Sequence, residues 1–230
     1  MECHTSLFKT GPGGDAMIQQ EDQENLFRLI SFYIKKDVVC YAFGGTAMMY
    51  YGYKTTTKDI DLLFDTEGTR DTFIDAILLL GYKRMSMVSV YPANLINEKK
   101  KPEMFTRGDE RFDIFLKNVF QTTFREEMKK RFFARHDYTM GTNTLTVFVL
   151  SKEDLIFLKS ITRREKDFDD IVTIVQRESN VNWNLIIEEA LWQSKHGDGW
   201  AILDLEETMQ RLKKIIFLKK EYFDRLYKKK

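Results

Sequence analysis

The chain has 230 residues and a mass of 27.3 kDa, which is enough for one large domain or two small ones. Apolar residues make up 43% of the chain, with only 12 Gly and 3 Pro, and this composition excludes a disordered or collagen-like protein. The 36 Lys and Arg residues almost balance the 35 Asp and Glu residues. Net charge therefore gives no general case for binding to nucleic acid or to a membrane surface.

The cysteines and the terminal segment indicate a cellular compartment. Cys3 and Cys40 lie far apart in unlike surroundings, so we expect no disulfide framework and a reducing environment. No apolar run approaches the roughly 20 residues that a membrane span requires, and the first residues lack the apolar stretch of a secretory signal. We expect a cytoplasmic protein without a membrane partner, in which residues 1–20 form a flexible leader.

The first part of the chain alternates between helical and extended patterns. The spacing of apolar residues predicts helices where they recur every three to four positions and strands where they alternate or form short β-branched runs. In chain order, the predicted elements are a helix beginning at Glu24, a strand over 38–43, a short helix over 46–51, a strand over 58–65, a helix over 69–80 and a strand over 84–91.

The second part of the chain ends in a long helical stretch. Its predicted elements are a charged loop over 99–108, a strand over 111–116, a basic helix over 124–133, a strand over 145–150 and only helices from 151 to 230. These patterns predict an α/β (α+β) fold, with a mixed sheet flanked by helices over 21–150. A helical C-terminal region, 151–230, is expected to pack on this core.

Gly44 and Gly45 stand between a predicted strand and a short helix. Glycine at such a turn lets a ligand approach the backbone closely, and the free N–H groups at the start of a helix favour phosphate. The turn is therefore predicted to cradle a triphosphate, although most Gly-Gly pairs mark ordinary turns.

Three aspartates lie on the polar faces of two predicted strands. Asp59 and Asp61 are two residues apart, so their Cα atoms would be roughly 7 Å apart with both side chains pointing the same way. Both could then reach one divalent cation or a close pair of cations. Asp113 can supply a third carboxylate if its strand lies beside theirs.

Oxygen ligands suit Mg²⁺, which proteins usually hold through a few carboxylates and the phosphates of a substrate. Zinc would require His or Cys ligands, and the 3 His and 2 Cys residues show no such spacing. An isolated D-x-D is more often the solvent-facing side of an edge strand. The order of strand, Gly-Gly, short helix, D-x-D strand and later acid favours the metal site over that interpretation.

Two segments together resemble a known family. GGTAMMYYGYKTTTKDIDLLF, from Gly44, resembles the signature of the nucleotidyltransferase superfamily with the DNA polymerase β-type fold. LSKEDLIFLKSITRREKDFDDIVTIV, from Leu150, resembles the helical segment of the minimal, abortive-infection-type branch of that superfamily. There are two departures. Gly45 stands where many relatives have Ser, and a longer insertion over 82–110 precedes the third acid.

The resemblance implies a nucleotide site. Gly44 and Gly45 would hold the triphosphate of a nucleoside triphosphate such as ATP, and Thr46 would add a hydroxyl contact. Lys159 would contact the substrate phosphates. The region 21–150 would then be the catalytic core.

The resemblance also implies a metal centre. Asp59, Asp61 and Asp113 would be catalytic residues that bind Mg²⁺ or Mn²⁺, and Asp113 would assist deprotonation of the attacking hydroxyl. The implied activity is transfer of a nucleoside monophosphate to a hydroxyl or phosphate of RNA (including tRNA), of a protein or of a small molecule, with release of pyrophosphate. Such an enzyme could act as a toxin. The alternative is a non-catalytic nucleotide- or partner-binding module of a toxin–antitoxin-like pair, with an antitoxin-like protein as its partner.

The C-terminal stretch RLKKIIFLKKEYFDRLYKKK, from Arg211, is basic and contains interleaved aromatic residues. Its apolar residues mostly follow helical spacing, which favours packing. Its lysines could instead attract the phosphates of an RNA acceptor. A plain RNA-binding protein is a third possibility, and it predicts steep salt dependence with indifference to changes at Asp59 or Asp61.

Overall fold

The computed structural model describes residues 17–85 and 101–227. Over these residues the chain is a mixed α/β protein in which helices flank a seven-stranded mixed sheet. This confirms the fold class predicted from the sequence. Among the described helices, none combines the length and the apolar character needed to cross a lipid bilayer.

The central sheet contains strands from both sides of the glycine turn. Its strands, in spatial order, are β10 (Phe132–Tyr138), β11 (Leu145–Leu150), β2 (Val38–Ala42), β4 (Asp59–Phe64), β7 (Glu110–Leu116), β6 (Glu103–Arg107) and β5 (Lys83–Arg84). The remaining short strands are β1 (Ile18–Gln19), β3 (Thr56–Thr57), β8 (Asn118–Val119) and β9 (Thr122–Thr123). Strand β1 pairs with β3 in an antiparallel ladder.

The sheet is mixed because parallel and antiparallel neighbours alternate around its centre. Strand β2 is parallel to β11 and antiparallel to β4. Strand β4 is parallel to β7, and β7 is antiparallel to β6. The two acid-bearing strands predicted from the sequence are thus immediate neighbours.

The described residues form two compact units. The first extends to Phe120 and also includes Ala134–Val149, and the second comprises Gln121–Phe133 and the chain from Leu150 onward. Helices α1 (Gln20–Tyr33), α2 (Gly44–Tyr50) and α3 (Glu67–Leu79) belong to the first unit. The second unit contains α4 (Glu126–Lys130), α5 (Lys152–Ser160), α6 (Glu165–Arg177), α7 (Trp183–His196), α8 (Ala201–Leu212) and α9 (Lys220–Tyr227).

The alternation predicted for the acid-bearing strands places one face of each in the core. Five side chains on that face are at most 1% exposed, and they pack with residues of α1 and α3: Ile60, Leu62, Phe64, Phe112 and Ile114. The opposite face carries the aspartates, which are partly exposed. Burial of the apolar face therefore fixes which way the acids point.

Two stretches differ from the sequence prediction. The expected charged loop over 99–108 contains strand β6, whose Met104 and Phe105 are buried and which joins β7 through a tight turn at Gly108. The expected basic helix over 124–133 is a helix only through α4, and the chain then enters the edge strand β10. Of the strand expected over 84–91, residues 86–91 lie outside the described residues.

Candidate functional site

The glycine turn meets the first acid strand because β2 and β4 are antiparallel. Ala42 pairs with Leu62, so the chain leaving β2 passes Asp61. Two hydrogen bonds from backbone N–H groups hold this crossing: Phe43 N–H donates to the Asp61 carbonyl oxygen (3.4 Å), and Gly45 N–H donates to the side-chain oxygen Asp61 Oδ2 (3.2 Å). The two sequence motifs are thus brought together by the sheet.

Both positions of the turn favour glycine, for different reasons. Gly44 has a φ of +57°, in the left-handed region, and a Cβ built on it would overlap Asp61 Oδ2 and lie 2.8 Å from Asp61 Cγ. A Cβ on Gly45 would overlap the hydroxyl of Thr57. The side-chain oxygens of Asp61 and Thr57 therefore lie closer to the backbone of the turn than a side chain at position 44 or 45 would allow.

The three predicted acids lie on one face of the sheet. In the parallel ladder between β4 and β7, Asp61 is directly opposite Asp113. Asp59 lies two residues before Asp61 and therefore on the same face. Further along this face the sheet becomes apolar, with Leu63 and Phe115 buried. The acids thus occupy one end of a face that is otherwise closed by hydrophobic side chains.

Arg111 links two of these acids. It is opposite Asp59 in the ladder, and its guanidinium donates to Asp59 Oδ2 and to Asp113 Oδ2 (3.1 Å), with Nε 2.9 Å from Asp113 Oδ1. Burial alone would lower the pKa of Arg111, but the carboxylates of Asp113 and Asp59 raise it above its usual value. The guanidinium is therefore firmly charged and acts as a counter-ion within the acid cluster.

The chemistry of these side chains decides whether they fit a divalent cation. Among the residues that the structure describes, no three His, Cys, Asp or Glu side chains are arranged as a ready-made metal cluster. The donor chemistry nevertheless fits Mg²⁺ or Mn²⁺, because all three side chains are carboxylates on one face. With Arg111 included, the four side chains carry a formal charge of −2, which a divalent cation would neutralise. Such an ion would share the carboxylates with the guanidinium or displace it.

Thr46 has a different place from the one the resemblance implies. Its side chain is fully buried, and its hydroxyl accepts a 2.8 Å hydrogen bond from Asp61 N–H. The hydroxyl thus ties the first turn of α2 to the acid strand. A direct contact of Thr46 with phosphate stays a prediction.

Thr57, at the end of β3, is a site residue that the sequence did not reveal. It is 8% exposed, and its hydroxyl donates to the Asp59 carbonyl oxygen (3.2 Å) while lying against Gly45. Its polar stretch of sequence predicts a loop. Its contact with the glycine turn arises only in the tertiary structure, so the local sequence does not indicate it. Arg111 was overlooked too, although its position two residues before Asp113 places it on the acid face by simple alternation.

Lys159 lies in the second unit, at the centre of a buried ion network. Its ammonium donates to Asp167 Oδ1 (2.9 Å) and Asp170 Oδ2 (2.6 Å), and it is only 7% exposed. Asp167 also accepts hydrogen bonds from Thr162 (2.7 Å) and Arg164 (2.6 Å). Burial would lower the pKa of Lys159, but Asp167 and Asp170 raise it. The structure shows this lysine joining α5 to α6, and its contact with a nucleotide stays a prediction.

The basic C-terminal stretch is partly packed. Leu212, Leu218 and Leu226 are buried, whereas Ile215 is 44% exposed and Phe217 is 88% exposed. The predicted helical spacing is interrupted, because α8 ends at Leu212, α9 begins at Lys220 and Leu218 lies between them. Arg225 donates to Asn184 and lies 3.3 Å from Glu188 on α7. Packing thus accounts for the buried leucines, and an RNA contact of this stretch stays a prediction.

No protein-family model matches the chain, and no curated protein is significantly similar to it. The functional assignment therefore depends on the chemistry and geometry of the residues described above.

Proposed function

We propose that this chain is a metal-dependent nucleotidyltransferase, which transfers a nucleoside monophosphate from a nucleoside triphosphate to an acceptor hydroxyl or phosphate. One observation carries the proposal: Asp61 and Asp113 pair on adjacent parallel strands, beside the turn formed by Gly44 and Gly45. Phosphoryl-type transfers depend mainly on positioning and on charge stabilisation. A glycine turn that lets phosphates approach the backbone can position the substrate, and the neighbouring carboxylates can hold the cations that stabilise its charge.

In the proposed reaction, an acceptor oxygen attacks the α-phosphorus of the nucleotide. The bond from that phosphorus to the oxygen bridging to the β-phosphate breaks, and pyrophosphate leaves with the electron pair. An acceptor hydroxyl gives up its proton to Asp113. Asp113 is the proposed proton acceptor because the resemblance implies that role for the third acid, and because Asp61 Oδ2 already accepts the hydrogen bond from Gly45 N–H.

Asp59, Asp61 and Asp113 are the proposed ligands of Mg²⁺ or Mn²⁺. When bound, such an ion neutralises the negative charge of the phosphates and of the leaving group. The formal charge of the cluster and its all-oxygen donor set support this role. Arg111 would release Asp59 or Asp113 as the nucleotide and its cation enter.

The acceptor is proposed only as a chemical class. It is a hydroxyl or phosphate of an RNA such as tRNA, of a protein or of a small molecule. Modification of a cellular RNA or protein would make the enzyme toxin-like. The exposed Phe217 and the lysines near it are compatible with an RNA acceptor and do not exclude the others.

A second candidate function is a non-catalytic nucleotide- or partner-binding module with an antitoxin-like partner. The bridging of Asp59 and Asp113 by Arg111 favours it, since the guanidinium already neutralises part of the charge that a cation would neutralise. The two candidates differ in one respect. A catalytic protein binds nucleoside triphosphate more tightly with a divalent cation than without it.

The test of the first proposal is incubation with each of the four α-³²P-labelled nucleoside triphosphates, Mg²⁺ or Mn²⁺, and total cellular RNA and protein. The expected result is label on one acceptor class with the wild-type chain and none with the Asp59→Asn/Asp61→Asn variant. Asp75→Asn is the matched control, because Asp75 is an exposed carboxylate on α3 in the same unit.

Label transfer that persists in the double variant would contradict the assigned role of the acids. Absence of transfer, together with nucleotide binding that does not respond to divalent cations, would favour the binding module. A thermal unfolding curve for each variant shows whether it is folded, so that loss of activity is not confused with loss of structure.

A further inference from the structure

We propose that Thr57 donates a side-chain hydrogen bond to the phosphates of the bound nucleotide at the glycine turn. This inference rests on the proposed function and adds a residue to the same site. It starts from one juxtaposition. A Cβ built on Gly45 would overlap Thr57 Oγ1 and lie 3.2 Å from Thr57 Cβ. The Thr57 hydroxyl therefore fills the space that a side chain at position 45 would occupy.

The fold delivers this hydroxyl from a separate strand. Thr57 is the last residue of β3, which pairs with β1, and Thr57 is paired with Ile18 in that antiparallel ladder. With only 8% of its surface exposed, Thr57 is held in place by its surroundings. Little conformational entropy is lost when such a pre-positioned group binds a ligand.

The Thr57 hydroxyl can change its acceptor. It donates to the Asp59 carbonyl oxygen at 3.2 Å, whereas O–H···O bonds are typically about 2.7–2.8 Å long. A phosphate oxygen is a stronger, charged acceptor. Rotation about the Cβ–Oγ1 bond is enough to redirect the hydroxyl proton from the Asp59 carbonyl oxygen to a phosphate oxygen, without movement of the backbone.

Thr46 is the other threonine at the turn, and it suits this role less well. Its hydroxyl is fully buried and already accepts the 2.8 Å bond from Asp61 N–H. Thr46 has no exposed surface through which a phosphate could approach, whereas Thr57 keeps 8% of its surface exposed. Of the two hydroxyls, Thr57 therefore carries the proposed contact, and Thr46 holds the scaffold.

The first test compares Thr57→Val, which keeps the side-chain shape without the hydroxyl, with Thr57→Ser, which keeps the hydroxyl. Calorimetry measures the binding of Mg²⁺ with the nucleoside triphosphate that the wild type binds most tightly, and of Mg²⁺ with tripolyphosphate. We expect Thr57→Val to bind both ligands about tenfold more weakly or worse, as for loss of one hydrogen bond to a charged group. Thr57→Ser should remain close to wild type.

The second test removes the hydroxyl from position 57 and introduces one at position 45, on the facing residue. Gly45→Ser alone should lower the unfolding midpoint, because its Cβ overlaps the Thr57 hydroxyl. In Gly45→Ser/Thr57→Ala that oxygen is gone and the nearest atom is the residue-57 Cβ, 3.2 Å away. We expect this double variant to bind nucleotide more tightly than Thr57→Ala alone. A purely space-filling role for Thr57 predicts no such rescue.

The outcomes separate this inference from the function on which it rests. Wild-type failure to bind any of the four nucleotides with Mg²⁺ or Mn²⁺ overturns both. Wild-type binding with unchanged affinity in folded Thr57→Val overturns only the role of Thr57. If the double variant does not fold, the comparison of Thr57→Val with Thr57→Ser decides.

Discussion

Asp61 and Asp113 lie directly opposite each other on two parallel strands. Neighbouring strands are only about 4.8 Å apart, and like charges in directly opposed positions destabilise a sheet. Arg111 offsets part of this repulsion through its contacts with Asp113 and Asp59. A pair that costs stability and needs a counter-ion is expected where a ligand, and not the fold, requires the charges.

The first prediction concerns Asp113→Asn. Removing this charge should lower nucleotidyl transfer at least about 100-fold, because the proposed proton acceptor is lost. The free energy of unfolding should fall by less than about 1 kcal/mol, since relief of the repulsion with Asp61 offsets the lost bond to Arg111. Transfer assays and urea unfolding of the same preparations measure the two effects. Full activity in the variant would remove Asp113 from the mechanism.

The second prediction concerns Arg111→Met. Because a cation and the guanidinium compete for the same carboxylates, removing the guanidinium should raise the affinity for Mn²⁺ in the absence of nucleotide by about tenfold or more. Electron paramagnetic resonance of free Mn²⁺ measures this affinity directly. Arg84→Met is the matched control, because Arg84 is an exposed arginine that pairs with Glu103 at the sheet edge. Equal Mn²⁺ affinity in Arg111→Met and wild type would contradict competition between the guanidinium and the cation, and absence of Mn²⁺ binding in both would show that the acids alone do not form a cation site.

The sequence was sufficient for the elements that build the site. Period-two alternation in the two acid strands placed the aspartates on one face, because burial of the other face leaves a strand no second orientation. The Gly-Gly turn was also visible, since a positive φ at Gly44 and the close approach of Asp61 both demand glycine. The alternation and the turn are both determined by residues close together in the sequence, so the sequence alone predicts them.

The features that escaped prediction depend on pairing between distant segments. The charged residues around Met104 and Phe105 predict a loop where strand β6 is found, because the burial of these two residues follows only from the hairpin with β7. Strand β10 is exposed at the sheet edge and lacks a clear apolar alternation. The approach of Thr57 to Gly45 has no sequence signal, because it arises only when β3 is placed beside the turn.

The third prediction separates backbone strain from steric overlap at the turn. Gly44 and Gly52 both have a positive φ, but a Cβ at Gly52 meets nothing within 4 Å. Gly52→Ala should therefore cost only the left-handed backbone penalty, about 1–2 kcal/mol. Gly44→Ala should cost more than this, because its methyl group also displaces Asp61. Urea unfolding followed by far-ultraviolet circular dichroism compares the two, and equal losses would contradict the described overlap.

The fourth prediction concerns the pH dependence of the second unit. The chain has three tryptophans, Trp183, Trp192 and Trp200, all in this unit, so tryptophan fluorescence follows its unfolding alone. Burial would raise the pKa of Asp167, but Lys159 and the other donors lower it below the ordinary 3.8. The unfolded state therefore takes up a proton at higher pH than the folded state does, and stability is lost as pH falls below about 4 through the folded pKa.

Asp167→Asn removes this effect. At pH 7 the variant should be about 1–3 kcal/mol less stable than wild type, because Lys159 loses a buried ionic partner. The difference should shrink as the pH is lowered from about 4, where wild type begins to protonate the same carboxylate. Asp169→Asn is the control, since Asp169 is an exposed acid on the same helix. A stability difference that does not vary between pH 7 and pH 3 would show that Asp167 does not carry the acid sensitivity of this unit.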